Sequence, residues 1–134
     1  MINIDCLLCV EDDPSNRLVM KLLVEKTLTA KSYVIFEDSA DFISRLRDLP
    51  VRPDIILLDI HVSPFNGFQM LKMIREDSVY CDTKVVALTA SVMNEEVERL
   101  RKSGFDGAIG KPIPLSAFPV VIERILNGET IWQV

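Results

Sequence analysis

Five short apolar runs, at residues 6–10, 33–36, 55–58, 85–88 and a weaker 108–109, punctuate the chain, and the segments between them carry apolar residues at helical spacing. Runs so short and so nearly continuous suit strands buried on both faces, because a half-exposed strand alternates apolar with polar side chains. The intervening segments have helix signals of their own. Asp13 and Pro14 stand as N-cap and first residue of one helix, and Ser39 as the cap of a second with Phe42, Ile43 and Leu46 on its core side. Gly67 precedes a third face of Phe68, Leu71 and Ile74. Met93, Val97 and Leu100 follow at i, i+4 and i+7 and lead to Gly104 as a C-terminal cap, and Pro114 opens a last helix carrying Phe118, Ile122 and Ile125. Parallel strands joined through helices need right-handed crossovers. The pattern therefore predicts a doubly wound α/β domain whose five-stranded parallel sheet is covered on both faces.

In such a sheet the carboxyl ends of the strands share one edge, where open α/β folds place their chemistry. The residues expected there are Glu11, Asp12 and Asp13 after the first run, Asp59 after the third, Thr89 after the fourth and the Lys111-Pro112 pair after the fifth. Each has a plain reading of its own: solvated strand-end acids, a helix cap at Asp13, a hydroxyl capping the next helix, a loop lysine before a proline stop. Together they describe a metal-assisted phosphoryl acceptor.

At 134 residues, the chain is expected to be one domain at 1–128 followed by a tail at 129–134 too short to form an effector domain. A net charge of −5 with scattered Lys and Arg argues against a nucleic-acid surface, which needs clustered cations. No run reaches the roughly 18 to 20 apolar residues that span a bilayer, and the start lacks the basic character of a secretion signal, so a cytoplasmic protein with no membrane contact is expected. Cys6, Cys9 and Cys81 are an odd count. The first two fall in one strand with side chains on opposite faces, so small core hydrophobes are expected and not a metal or redox pair.

In their order and spacing, the acidic pair, Asp59, the Thr89-Ala90 dipeptide and Lys111-Pro112 resemble the response regulator receiver domains of two-component signalling, the chemotaxis regulators among them, over essentially the whole chain. The resemblance implies a flavodoxin-like (βα)5 fold with strand order 2-1-3-4-5. It implies a phosphoryl group taken from a phosphohistidine of a sensor histidine kinase or a histidine phosphotransfer domain onto Asp59, and a switch in binding to an unidentified output protein, by a monomer or weak dimer that is not itself an enzyme.

The chemistry agrees. A carboxylate can act as a nucleophile toward phosphorus, giving a high-energy acyl phosphate. Unaided, neighbouring acids would repel the incoming group by about 4 kcal/mol at 4 Å and an effective dielectric near 20. A divalent cation reverses that sign. All-oxygen ligation with room for waters suits Mg2+, with Asp12 and Asp59 as direct ligands, Glu11 through water and the His61 backbone carbonyl completing the set, while Lys111 neutralises phosphoryl oxygens from the other side. Thr89 and Lys111 then read the new charge and bias the loop after the fourth strand and the helix at 93–102. The His61 side chain, by the resemblance, tunes the access of water to the phosphoryl group.

Two departures from the family pattern stand out. Ser63 occupies the position, four residues after Asp59, where the family usually has proline, and Pro64 follows. Ala108 stands three residues before Lys111, where the family usually carries a switching aromatic ring. Two alternatives are weighed against the receiver reading. A haloacid-dehalogenase-like phosphatase would want a second Asp where His61 stands, and a pseudo-receiver would keep the fold as a binding module without the chemistry. A flavin site lacks its phosphate loop after Val10.

Overall fold

The computed structural model of the chain describes residues 3–91 and 93–133. Strands β1 (Leu7–Val10), β2 (Tyr33–Phe36), β3 (Ile55–Asp59), β4 (Lys84–Thr89) and β5 (Gly107–Gly110) alternate with helices α1 (Pro14–Thr27), α2 (Phe42–Arg47), α3 (Gly67–Glu76), α4 (Asn94–Ser103) and α5 (Phe118–Leu126). All pairings are parallel, and the strand order β2-β1-β3-β4-β5 is the one expected for a doubly wound flavodoxin-like sheet. A sixth strand was not foreseen. β6 (Ile131–Gln133) pairs in parallel with β5, so part of the expected tail extends the sheet.

Burial explains the near-continuous apolar runs. Successive strand residues point to opposite faces, and both faces are covered. Leu8, Val10, Ile56, Leu58, Val85, Ala87 and Ala108 pack with residues of α2, α3 and α4. Leu7, Cys9, Ile55, Leu57, Val86, Leu88 and Ile109 pack with residues of α1 and α5. Cys6 and Cys9 are buried free thiols, as expected of small core hydrophobes, and burial pushes the Cys9 thiol far above its ordinary range.

Three helix starts differ from expectation. Ser39 does not cap α2: its hydroxyl accepts from Phe65 N–H at 2.7 Å and donates to Phe65 C=O at 2.6 Å, tying the β3–α3 loop to the β2–α2 loop. Asp41, at φ 50°, precedes α2 with no side-chain cap. Met93 is the N-cap residue of α4 and exposed, so this polar helix rests on the sheet through Leu100. α5 begins at Phe118, with Pro119 in its first turn, and not at Pro114. Leu115 is exposed and Phe118 fully buried, so only from Phe118 does the segment present an apolar face to the sheet. No helix among the described residues is long and apolar enough to cross a membrane.

Candidate functional site

The parallel sheet brings the predicted strand-end residues to one edge. β1 leads into Glu11, whose N–H donates to Phe36 C=O at 3.0 Å, extending the ladder one residue and burying the carboxylate. Asp12 follows, exposed, and Asp13 caps α1 by accepting from Ser15 N–H at 3.3 Å, the role its position before Pro14 predicted. Arg17, one turn into α1, donates to Glu11 C=O at 3.2 Å and Asp12 C=O at 2.8 Å, so the acidic loop is held by a guanidinium. Sequence reading did not single out Arg17. Its only signal was a cation at helical reach from two acids.

Asp59 ends β3 and is almost fully buried. Its Oδ1 accepts from His61 N–H at 3.0 Å and its Oδ2 from Lys111 Nζ at 2.8 Å. Lys111 leaves β5 and also donates to Glu11 Oε1 at 2.6 Å. The loop after Asp59 is held by a tight approach of α3. A Cβ on Gly67 would lie 2.7 Å from Ile60 Cδ1 and 3.2 Å from Asp59 C=O, so a side chain there would push the loop off the strand end. Asn66 caps α3 and forms a capping box with Gln69, a pattern visible in the sequence as Asn-x-x-Gln but not used. The His61 side chain is exposed beside this edge.

Thr89 ends β4 at the same edge, but its hydroxyl is engaged away from Asp59. It donates to Ser91 C=O and accepts from Ser91 N–H, each at 3.1 Å. Lys111 N–H donates to Thr89 C=O at 2.8 Å, which ties the ends of β4 and β5 together.

The electrostatics follow from three acids around one ammonium. Burial raises the Glu11 carboxyl, reinforced by a hydrogen bond with Asp59, and brings it to about 7 despite Lys111. Asp59 feels the same burial. Hydrogen bonds from Glu11, Lys111 and the His61 N–H outweigh it, and the carboxyl stays below its ordinary value. Burial opposes the charge on Lys111, and the two carboxylates overcome it and hold the ammonium above its usual value. One carboxylate oxygen each from Glu11, Asp12 and Asp59 lies within 4.8 Å of the others, a donor set composed of hard oxygens. Fully ionised, the three acids exceed the charge of Lys111 by two negative charges, which is the charge pattern a divalent metal ion fits.

Comparison with known proteins points the same way. A family model described as "Response regulator receiver domain" matches residues 7–123. The polar-differentiation response regulator DivK of Brucella anthropi is 35% identical over 76 residues, a stretch covering 57% of this chain and 62% of that protein. The chain thus spans about three fifths of the length of the curated relatives it matches. Among solved structures, the receiver domain of the sensor histidine kinase PA1611 from Pseudomonas aeruginosa PAO1 superposes with a TM-score of 0.78 at 21% identity, covering 92% of this chain and 98% of that one, and is described with a magnesium ion coordinated in its active-site cleft. The chemotaxis response regulator CheY4 of Vibrio cholerae superposes with a TM-score of 0.79 at 20% identity, covering 91% and 98%. At these identities the structural likeness speaks for the fold.

Proposed function

Because the chain belongs to the response regulator receiver domain family, we propose that it accepts a phosphoryl group on Asp59 from a phosphohistidine and relays that event to a partner protein. The observation that carries this reading is the Asp59 carboxylate itself. It is buried, yet held in its charged, nucleophilic form, with Oδ1 fixed by the His61 N–H and Oδ2 by Lys111. Such a carboxylate is oriented before the donor arrives. In the transfer one Asp59 oxygen bonds phosphorus while the phosphorus–nitrogen bond of the donor breaks, and the imidazole leaves with the electron pair.

Glu11, Asp12 and Asp59 are the residues that would hold Mg2+, with the His61 carbonyl as the backbone share. The ion would supply positive charge to the transferring phosphoryl oxygens. Lys111 lies on the other side of Asp59 and neutralises charge there by turning from Glu11 toward the new group. Thr89 has a hydroxyl free to exchange its Ser91 partners for a phosphoryl oxygen. Movements of these two side chains pull on α4 through the loop at 89–93 and on β5 through the Lys111 backbone, so the output is a change of surface and not a released product. We read the protein as a cytoplasmic signalling module and not a turnover enzyme, with a histidine kinase or histidine phosphotransfer domain upstream.

Incubation with acetyl phosphate and Mg2+, followed by intact-mass measurement, tests this reading. Wild type should gain one phosphoryl group, and Asp59→Asn none. Labelling of Asp59→Asn, or equal labelling of wild type in EDTA, sinks the acceptor or the metal assignment respectively. A folded wild type that stays unlabelled supports the pseudo-receiver alternative.

A further inference from the structure

β6 lies against the two elements that leave the candidate site. Its backbone pairs with β5 as Gly107 with Ile131, Ala108 with Trp132 and Ile109 with Gln133. The pairing depends on the smallest side chains of β5. A Cβ on Gly107 would sit 2.6 Å from Ile131 C=O, so no larger residue admits the strand at this distance. Ile131 is buried with the cluster under α1 and α5, while Trp132 packs on the other face with the cluster that contains Ala108, Leu100 and Phe105. The Arg101 guanidinium of α4 lies 5.0 Å from the Trp132 ring centroid, a cation–π contact between α4 and β6. Glu129, ion-paired with Arg124 at 2.9 Å, and Gly128 at φ 101° set the turn that returns the chain from α5 to the sheet edge.

α4 follows the loop after Thr89 and Lys111 directly follows β5, so both side chains that would respond to a phosphoryl group on Asp59 adjoin elements that β6 touches. We propose that residues 131–133 form a strap released by phosphorylation, with Trp132 as its latch across α4 and β5. The latch supplies from the sixth strand a ring that Ala108 does not. The docked strap is found with Lys111 on Glu11 and Asp59 and with Thr89 on Ser91. It therefore stabilises that arrangement against any in which α4 shifts away from Trp132, because the shift loses the Arg101 contact and opens the apolar seam. This inference rests on Asp59 being the acceptor.

Linkage makes the idea quantitative. If occupation of Asp59 weakens the strap, weakening the strap must tighten occupation of Asp59 by the same factor. Trp132 is the single tryptophan of the chain, so its emission reports the latch directly. Beryllofluoride with Mg2+ serves as a non-transferring mimic of the phosphoryl group, and fluorine NMR counts the bound anion independently of tryptophan. In wild type, saturation should shift Trp132 emission to the red as the ring leaves a half-buried seam for water, and Asp59→Asn should show neither binding nor shift. Arg101→Gln, on an exposed position of α4, should raise beryllofluoride affinity about fivefold, the low end of couplings between sites. Trp132→Leu should do the same, and Arg101→Gln covers the case in which the loss of the ring harms folding. Emission unchanged at saturation, or affinity of Arg101→Gln within twofold of wild type, overturns the strap while leaving the acceptor in place. Failure of wild type to bind, or binding by Asp59→Asn, overturns both.

Discussion

Replacing Lys111 by Met should destabilise the metal-free protein by an amount that depends on pH in a way the wild type does not. The ammonium lies 2.6 Å from Glu11 and 2.8 Å from Asp59, and neither carboxylate is appreciably exposed. Breaking a buried pair by removing one partner costs about 3 to 5 kcal/mol. Glu11 reduces that figure. Its carboxyl already sits at about 7, so at pH 7 it can keep a proton, donate to Asp59 and leave a single buried charge. The expected cost at pH 7 is therefore about 3 kcal/mol, the bottom of that range. The sign above pH 7 follows from proton counting. Glu11 is raised in the folded state, so its contribution in wild type is fully present below the unfolded value of 4.5 and lost as pH passes about 7. Above that, neither folded nor unfolded wild type holds the proton, and stability is flat with respect to this group. Without the ammonium, folded Glu11 keeps its proton to higher pH while the unfolded chain does not. The variant then loses about 1.4 kcal/mol per pH unit for one proton. Urea unfolding in EDTA at pH 7 and pH 8, with unchanged denaturant slopes, measures both values. A difference between variant and wild type that is the same at the two pH values would refute the shared-proton account of Glu11 and Asp59.

Asp12→Asn should weaken the proposed Mg2+ binding, measured calorimetrically, at least about tenfold by removing an anionic group of the proposed ligand set; because Asp12 is exposed, unfolding stability should stay within about 0.5 kcal/mol. Thr89→Ala should still gain a phosphoryl group at Asp59 from acetyl phosphate but lose most of the accompanying amide shifts in α4, since on the proposed reading the hydroxyl links the site to that helix; wild-type-sized shifts would contradict this. Ser39→Ala removes both hydrogen bonds to the Phe65 backbone and should cost about 2 kcal/mol in urea unfolding, with a smaller loss showing that water replaces the hydroxyl.

The strand order and the convergence of Glu11, Asp12, Asp59, Thr89 and Lys111 could be read ahead of the structure for one reason. A buried parallel strand needs a continuous apolar run, and the first polar residue after it falls at the carboxyl edge. Topology does the rest: Glu11 and Lys111 are remote in sequence, yet parallel pairing through β3 and β4 leaves them a hydrogen bond apart. The partners of individual polar groups were not legible in this way. Thr89 is committed to the Ser91 backbone, and Ser39 serves a loop 26 residues away where a helix cap was expected. Both hydroxyls have several acceptors within local reach, and only packing selects among them. Met93 misled for a related reason. It continues an i, i+4, i+7 pattern but stands one residue before the helix, where the backbone is extended and the side chain leaves the core face.

β5 was the faintest run in the sequence and β6 left no signal, and these two failures have one cause. A strand containing Gly107 and Ala108 has little side-chain area of its own to bury, so it reads weakly. The same lack of bulk lets another backbone approach, which is where glycine in a strand is expected. Ile131 and Trp132 then supply, from the neighbouring strand, the apolar cover on both faces that β5 does not carry. The hydrophobic requirement of the sheet edge is met by two strands jointly. Two apolar residues flanked by Thr130 and Gln133 cannot show that alone, because their apolar character becomes strand-like only beside a partner that is too small to be recognised without them.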